Sequence, residues 1–296
     1  MEEEKIELRQ IRDFGAIIND TFVFAKQNLK PLLKVFFILC GVFILGSVLA
    51  TAIQQNKVVH LVNETGSGQY PGRNTRISSY MGWEYAMVIF FALLNYTAIT
   101  GTVLSYISLY LEKGKQAPSV EEVWSYFRYF FMRILGSVTL LGIALVIAIM
   151  LCLVPGIYLF PIISLVYPVM VLENGTLRYS FDRSYSLIKN NWWVTFGTLL
   201  IIWLIAYACM SLVSLPAILM QTVSMFSQTK PELTLTFTFI SAVINGICHI
   251  FMVIPVIGVS LCYFSLAEQK DGTGLMERIS TLGNSGTKPD TLSEEY

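Results

Sequence analysis

Five long stretches of the sequence contain no charged residue, and this pattern restricts the chain more than any other feature. They cover 35–56, 85–111, 134–172, 190–229 and 233–267. A helix of about 20 apolar residues crosses the roughly 30 Å hydrocarbon core of a bilayer. Because lipid offers no partner for backbone N–H and C=O groups, each crossing is expected to be helical. The runs are continuously apolar, whereas the strands of a membrane barrel alternate.

The composition excludes several classes of protein. Hydrophobic residues make up 54% of the chain and charged residues 14%, well below the roughly 25% charged residues of a soluble domain. Such a chain has too little polar surface for an ordinary cytosolic enzyme and too many apolar residues for disorder. Twenty basic residues balance twenty acidic ones, so no net field attracts nucleic acid. We therefore predict an all-α integral membrane bundle.

The lengths of the apolar runs predict about six transmembrane helices, at 33–54, 85–110, 132–153, 157–173, 192–215 and 233–266. The run 134–172 is too long for one span, and the turn signal Pro155-Gly156 divides it. Its second half is short for a crossing, so two complete spans and a re-entrant hairpin both agree with the sequence. We expect residues 1–31 to form a cytoplasmic amphipathic segment, 32–267 the membrane domain, and 268–296 a polar, partly disordered cytoplasmic tail.

The distribution of basic residues predicts the orientation of the bundle. The side that receives both termini and the loops 111–131 and 174–191 carries sixteen Lys and Arg, and the other side carries four. Positive charge is concentrated on the cytoplasmic side of membrane proteins. We therefore place both termini in the cytoplasm. A re-entrant hairpin at 134–172 gives the same distribution, so the charges require an even number of crossings and not six.

Three segments beside predicted spans have an apolar face at helical spacing. They lie at 11–29, 120–130 and 177–188, with charged and amide side chains on the opposite face. Such helices lie in the headgroup plane or cover the mouth of a bundle. The unit of amphipathic helix, span, turn and span thus occurs three times. A threefold internal repeat and simple alternation of topology both explain this pattern.

A candidate intramembrane polar site consists of Asn95, Asn245 and His249. Asn245 and His249 are four residues apart and share one helix face, and His249 is the ionisable residue that falls deepest within a predicted span. These side chains either line a path for a proton or solute, or hydrogen-bond between helices and hold the bundle together. We favour packing, because one histidine without a carboxylate partner makes a poor proton relay.

Prolines mark candidate hinges at Pro155 with Gly156, and at Pro161, Pro168 and Pro255. Each proline removes a backbone hydrogen bond and kinks a helix. Kinks at membrane depth free carbonyl groups for ligands or allow helices to flex. They are also common in ordinary membrane helices, so packing geometry alone is an alternative explanation.

The sequence lacks the motifs of common enzymes. HExxH, GxSxG and the P-loop are absent, although each would mark a distinct catalytic arrangement. The five cysteines fall inside predicted spans without a CxxC pair, which indicates buried apolar residues and not metal ligands. Glu173 and Asp182 lie near Arg178 and Arg183, which favours ion pairing. We predict no catalytic residue, no metal and no cofactor.

A junction of basic and aromatic residues precedes the fifth predicted span. It includes Arg183, Lys189, Trp192 and Trp193 and continues to Phe196-Gly197. Tryptophan is enriched at membrane interfaces, and basic side chains bind anionic headgroups. The junction resembles that of an uncharacterised bacterial multispan inner-membrane family, which is similar to the membrane domain of some glycerophosphodiester phosphodiesterases. The Asp13-Phe14-Gly15 opening and the segment 274–279 are similar to that family too.

The resemblance implies a location in the bacterial inner membrane, with the lipid bilayer and other membrane proteins as partners. It implies no hydrolase activity, because the metal-binding carboxylates of the phosphodiesterase domain are absent here. A bundle nearly free of buried charge beside an interfacial layer favours a non-enzymatic scaffold or accessory subunit. A transporter or channel for a small neutral or amphipathic solute is the alternative, with Asn95, Asn245 and His249 on its path.

Overall fold

The computed structural model describes residues 5–66, 82–226, 231–272 and 276, and the regular elements in these ranges are all helical. This confirms the predicted all-α class. One 3-10 turn, His249–Met252, separates the last two α-helices. The α-helices are α1 Phe14–Gln27, α2 Leu29–Gly66, α3 Trp83–Glu112, α4 Val120–Leu151, α5 Leu153–Leu172, α6 Leu177–Ile188, α7 Trp192–Phe226, α8 Pro231–Cys248 and α9 Val253–Asp271.

Six helical segments are long and apolar enough to cross a membrane, as the sequence predicted. They are Leu29–Val58, Trp83–Glu112, Val120–Leu151, Leu153–Leu172, Trp192–Leu219 and Phe239–Asp271. In the most apolar stretch of the last segment, 72% of the residues are buried within the bundle, against 22% for Trp192–Leu219 and 28% for Val120–Leu151. The segment that ends in α9 therefore lies at the centre, and α4 and α7 lie at the periphery with apolar faces outward.

Helices α1, α4 and α6 each begin at a side chain that caps the first turn. The Asp13 carboxylate accepts from the Ala16 N–H at 2.7 Å at the start of α1. Ser119 and Glu122 form a capping box at the start of α4, and Thr176 caps α6. These caps satisfy N–H groups that have no partner within the first turn of a helix. The predicted segments 11–29, 120–130 and 177–188 thus correspond to helical structure, and their position relative to a membrane stays a prediction.

Two predicted helix boundaries are wrong. The chain turns at Cys152, which has an extended backbone, and Pro155 and Gly156 lie in the first turn of α5 and do not form the turn. Proline is accepted there because the first N–H groups of a helix have no partner to lose. α7 also continues through Pro216 to Phe226, although we expected the span to end near 215. Membrane helices tolerate proline where neighbouring groups satisfy the freed carbonyl.

Pro255 accompanies a break in the last predicted span. The segment 233–266 consists of two helices, α8 and α9, joined by the 3-10 turn His249–Met252. A proline ring clashes with the carbonyl group four residues earlier, which here belongs to Phe251. The tighter turn therefore stands where the clash is expected. Pro161 and Pro168 lie inside α5, which remains one helix.

Helices α2 and α3 form an antiparallel pair. The Cys40 and Thr102 side chains lie 3.4 Å apart, and the Lys57 ammonium group bonds Glu84 at 2.7 Å near the opposite end. Helix α8 packs on α2 through Gly246, where an added Cβ would lie 2.3 Å from a methyl group of Val48. Small residues allow such close approach in membrane helices. Most of the predicted tail, 277–296, lies outside the described residues.

Replacing Gly246 with alanine should destabilise the protein, because the new methyl group overlaps Val48, a stiff β-branched side chain. We expect Gly246→Ala to lower the free energy of unfolding by about 1–3 kcal/mol, measured as a lower thermal transition in detergent. Gly41→Ala is the matched control, because an added Cβ at Gly41 in α2 meets nothing within 4 Å. Equal transitions for the two variants would contradict the close α2–α8 contact.

Candidate functional site

Of the predicted polar residues, Asn95 lies in α3, Asn245 in α8 and His249 in the 3-10 turn. Asn95 is buried in α3, and its amide nitrogen lies 3.5 Å from the Ser47 hydroxyl of α2. Its amide oxygen has no hydrogen-bond partner. His249 begins the 3-10 turn, and its Nδ1 lies 2.9 Å from the carbonyl oxygen of Asn245. Among the described hydrogen bonds, none joins Asn95 to Asn245 or His249, and a common polar site of the three residues stays a prediction.

A central cavity of about 20 Å³ lies between α3, α5, α7 and the start of α9. It holds about one water molecule, since a water needs roughly 10–15 Å³. Trp203 lines the cavity, and its indole nitrogen is buried without a hydrogen-bond partner; the same is true of the Thr100 hydroxyl. Pro168 and Pro255 lie on the same wall. The cavity is thus too small for a solute, although polar groups point toward it.

A larger cavity opens where the N-terminal segment meets the ends of α3, α5, α6 and α9. We call it the charged cleft; its volume is about 450 Å³. Its charged lining consists of four carboxylates and two guanidinium groups, in contrast to the uncharged interior. These residues are Arg9, Glu112, Glu173, Arg183, Glu268 and Asp271. The sequence pattern did not predict this cluster, because its members come from five separate segments of the chain.

Glu173 and Arg183 form the centre of the charged cleft. One oxygen of Glu173 accepts from the Arg183 Nε at 3.1 Å and from the Tyr263 hydroxyl at 2.8 Å. The other oxygen accepts from the Tyr179 hydroxyl at 2.7 Å. Arg183 also pairs with Asp271 at the end of α9. This network connects the ends of α5, α6 and α9. It also pairs the carboxylates of Glu173 and Asp271 with the guanidinium group of Arg183.

The network changes the acidity of two groups. The hydrogen bond to Glu173 raises the pKa of Tyr179, because a second negative charge beside the carboxylate is unfavourable. Burial disfavours the charge of Arg183, but its hydrogen bonds to Asp271 and Glu173 outweigh burial and raise the pKa of its guanidinium group. Both groups therefore hold their protons at neutral pH.

The composition of the charged cleft indicates what it could bind. Its described lining combines carboxylates and guanidinium groups with Ser108, Tyr179 and Tyr263. Four carboxylates against two arginines favour a positively charged group. A volume of about 450 Å³ falls within the range of about 300–1,000 Å³ that small ligands or a side chain from a partner occupy.

The predicted interfacial residues separate into two places. Arg183 lies in the charged cleft, whereas Lys189, Trp192 and Trp193 line an open groove of about 500 Å³ with Tyr158 of α5. We call these four residues the tryptophan junction. The Trp192 ring stacks on Tyr158 at 5.5 Å between centroids, and its indole N–H donates to the Tyr158 carbonyl oxygen at 3.2 Å. Contact with headgroups stays a prediction.

Comparison with known proteins adds no family. Neither a protein-family model nor a curated protein nor a solved structure matches the chain. The resemblance to the inner-membrane family therefore stays a prediction. A cluster of three or more His, Cys, Asp or Glu side chains that could hold a metal ion does not occur among the described residues.

Removing the charge of Arg183 should destabilise the charged cleft, because Glu173 and Asp271 would lose a shared cation. We expect Arg183→Gln to lower the free energy of unfolding by about 1.5–3 kcal/mol, the range for hydrogen bonds to charged groups. Arg178→Gln is the matched control, since Arg178 is exposed on the same helix. Thermal unfolding in detergent measures the stability of both variants. An unchanged transition for Arg183→Gln would show that the network does not stabilise the contacts between the helix ends.

Proposed function

We propose that the chain is a non-enzymatic multi-pass membrane protein that serves as a scaffold or accessory subunit of a membrane complex. The packed interior is the observation that carries this proposal. The central cavity has a volume of about 20 Å³, and the described hydrogen bonds of Asn95 and His249 do not join these two residues. A solute path needs a continuous polar channel, whereas a scaffold needs rigid packing and an accessible binding surface.

The charged cleft supplies the surface that this function requires. It is open to solvent, lies at the ends of five segments and has an excess of carboxylates. A basic side chain of a partner protein would pair with these carboxylates, and charge complementarity of this kind gives specificity. Glu112 lines this cleft with an exposed side chain and accepts a hydrogen bond from the Tyr126 hydroxyl at 2.8 Å.

The proposal includes a location in the bacterial inner membrane with both termini in the cytoplasm. The sixteen-to-four distribution of basic residues supports this orientation. The charged cleft then faces the cytoplasm. Helices α1 and α6 and the start of α4 lie on the same side, as amphipathic helices at the level of the headgroups. Partners in the bilayer or at its cytoplasmic surface could reach this layer.

A transporter for a small neutral or amphipathic solute is the second candidate. Two unpaired polar groups, on Thr100 and Trp203, line the central cavity beside Pro168 and Pro255. Flexing at the prolines could enlarge this cavity. Solute flux into vesicles that contain the purified protein would favour this candidate, particularly if Trp203→Phe reduced the flux without lowering thermal stability.

The scaffold proposal predicts a partner that depends on the charged cleft. After gentle extraction, the protein should elute with another membrane protein at a fixed stoichiometry. Glu112→Gln combined with Asp271→Asn should release the partner, because the cleft loses two negative charges, whereas Glu121→Gln on the exposed start of α4 should retain it. Size-exclusion chromatography with mass spectrometry measures the complex, and thermal unfolding checks that each variant is folded.

A protein that elutes alone and monodisperse from its native membrane would contradict the scaffold proposal. So would a complex that survives the double variant unchanged while Glu121→Gln disrupts it, because the partner would then bind elsewhere.

A further inference from the structure

The end of helix α5 is tied to the end of helix α9. Glu173 directly follows α5 and accepts from Arg183 at 3.1 Å. The same guanidinium group pairs with Asp271, the last residue of α9. One arginine side chain therefore bridges the two helix ends, and both lie at the end of the bundle that carries the charged cleft.

The start of α5 is tied to the same end of α9. Tyr158, in the second turn of α5, stacks on Trp192, the first residue of α7. The preceding residue, Asn191, donates its amide N–H to Gln269 at 2.7 Å. Gln269 is two residues from Asp271. Tyr158 and the end of α5 are therefore connected to the same last turn of α9 by short chains of contacts.

Helix α6 is consistent with this arrangement. It has 12 residues and is about 18 Å long at 1.5 Å per residue. From Tyr158 to Glu173, α5 extends about 22 Å by the same rise. α6 begins beside the end of α5 and delivers the chain to Trp192 beside its start. It therefore runs back along α5, and the two ends of α5 lie on one side of the bundle.

A complete crossing by α5 disagrees with these contacts. In a crossing helix, Tyr158 would lie about 22 Å deeper than Glu173. Helix α7 would begin on the cytoplasmic side at Trp192, far from Tyr158, yet their rings are 5.5 Å apart. α7 itself leads away from this end, because its Met210 carbonyl lies 3.9 Å from the sulfur of Cys248, the last residue of α8 and 23 residues before Asp271.

We propose that α4 and α5 form a re-entrant hairpin that enters the bilayer from the side of the charged cleft and returns to it. Its apolar tip then lies among the acyl chains of that one leaflet. Four crossings remain, by α2, α3, α7 and the α8–α9 segment. The number is even, so both termini stay on the same side and the distribution of basic residues is unchanged.

The two arms of the hairpin, α4 and α5, contact each other from the open end to the tip. At its open end, the Arg133 guanidinium group donates to the Asn174 side chain at 2.9 Å. One helical turn further in, the Ser137 hydroxyl lies 3.6 Å from the Met170 sulfur. Near the tip, Gly156 lies against Ile149 so closely that an added Cβ would be 2.4 Å from that side chain. The two arms therefore enter the lipid as one packed unit.

The surface of the tip favours acyl chains as its occupant. Met150 is 83% exposed, Leu151 80% and Val154 70%, which are unusually high values for apolar side chains. Lys189 and Trp193 flank the tip in the groove of the tryptophan junction. Trp and Lys prefer the headgroup level, so this groove marks one interface and the tip extends from it into hydrocarbon. A water-exposed tip of this composition would favour aggregation.

Cysteine labelling from each side of the membrane tests the proposal. In a protein whose five cysteines are replaced by alanine, Ile157→Cys, beside the tryptophan junction, is the test position. We expect a membrane-impermeant maleimide to label it in inside-out vesicles, as it labels Glu121→Cys at the start of α4. Intact cells should leave both unlabelled while Trp83→Cys, at the exposed start of α3, is labelled. Labelling of Ile157→Cys in intact cells would overturn the re-entrant hairpin.

If lipid shields Ile157→Cys from the maleimide on both sides of the membrane, a second measurement tests the proposal. Tyr158→Cys and Trp192→Cys in the same background should be joined by a short bismaleimide, because the two positions are in contact. The same background with Tyr158→Cys and Trp83→Cys, at the start of α3, should not be joined. Failure of the first pair to crosslink, with both cysteines reactive after denaturation, would place Tyr158 away from Trp192 and contradict the proposal.

Discussion

Hydrocarbon neither solvates a charge nor hydrogen-bonds a backbone, and this constraint organises the protein. Charges lie outside the apolar runs, and the described ion pairs lie there too. Lys57 pairs with Glu84 near one end of the α2–α3 pair. At the other end of the bundle, Arg183 pairs with both Glu173 and Asp271. The interior between them relies on packing, and the charged groups fasten the helix ends.

Interior hydroxyl groups obey the same constraint on a smaller scale. Thr21, Ser137, Ser164 and Ser260 each donate to the carbonyl oxygen four residues earlier in their own helix. This bond satisfies a hydroxyl group without requiring a partner on another helix. It lets the bundle contain many small polar residues without a polar channel. The indole of Trp203 is an exception, and it lies beside the central cavity.

The apolar pattern predicted the helical class, the six long apolar helices and the break near Pro255, because these follow from local chemistry. It misplaced the turn near Pro155 and the end of α7 near Pro216, since proline punctuates a helix only when neighbouring groups cannot satisfy the freed carbonyl. The charged cleft was only partly predictable. Glu173 and Arg183 are near in sequence, but Asp271 is 88 residues from Arg183 and no local signal connects them.

Chain chemistry was sufficient to assign the long apolar segments to helices, to confine charge to their ends and to predict on which side basic residues gather. These properties depend on each residue and its immediate neighbours, and on transfer from water to lipid. Tertiary packing decided which helix ends meet: it set Tyr158 against Trp192 and grouped four carboxylates with two arginines. Such contacts depend on the relative placement of distant helices, for which hydrophobicity supplies a driving force but no direction.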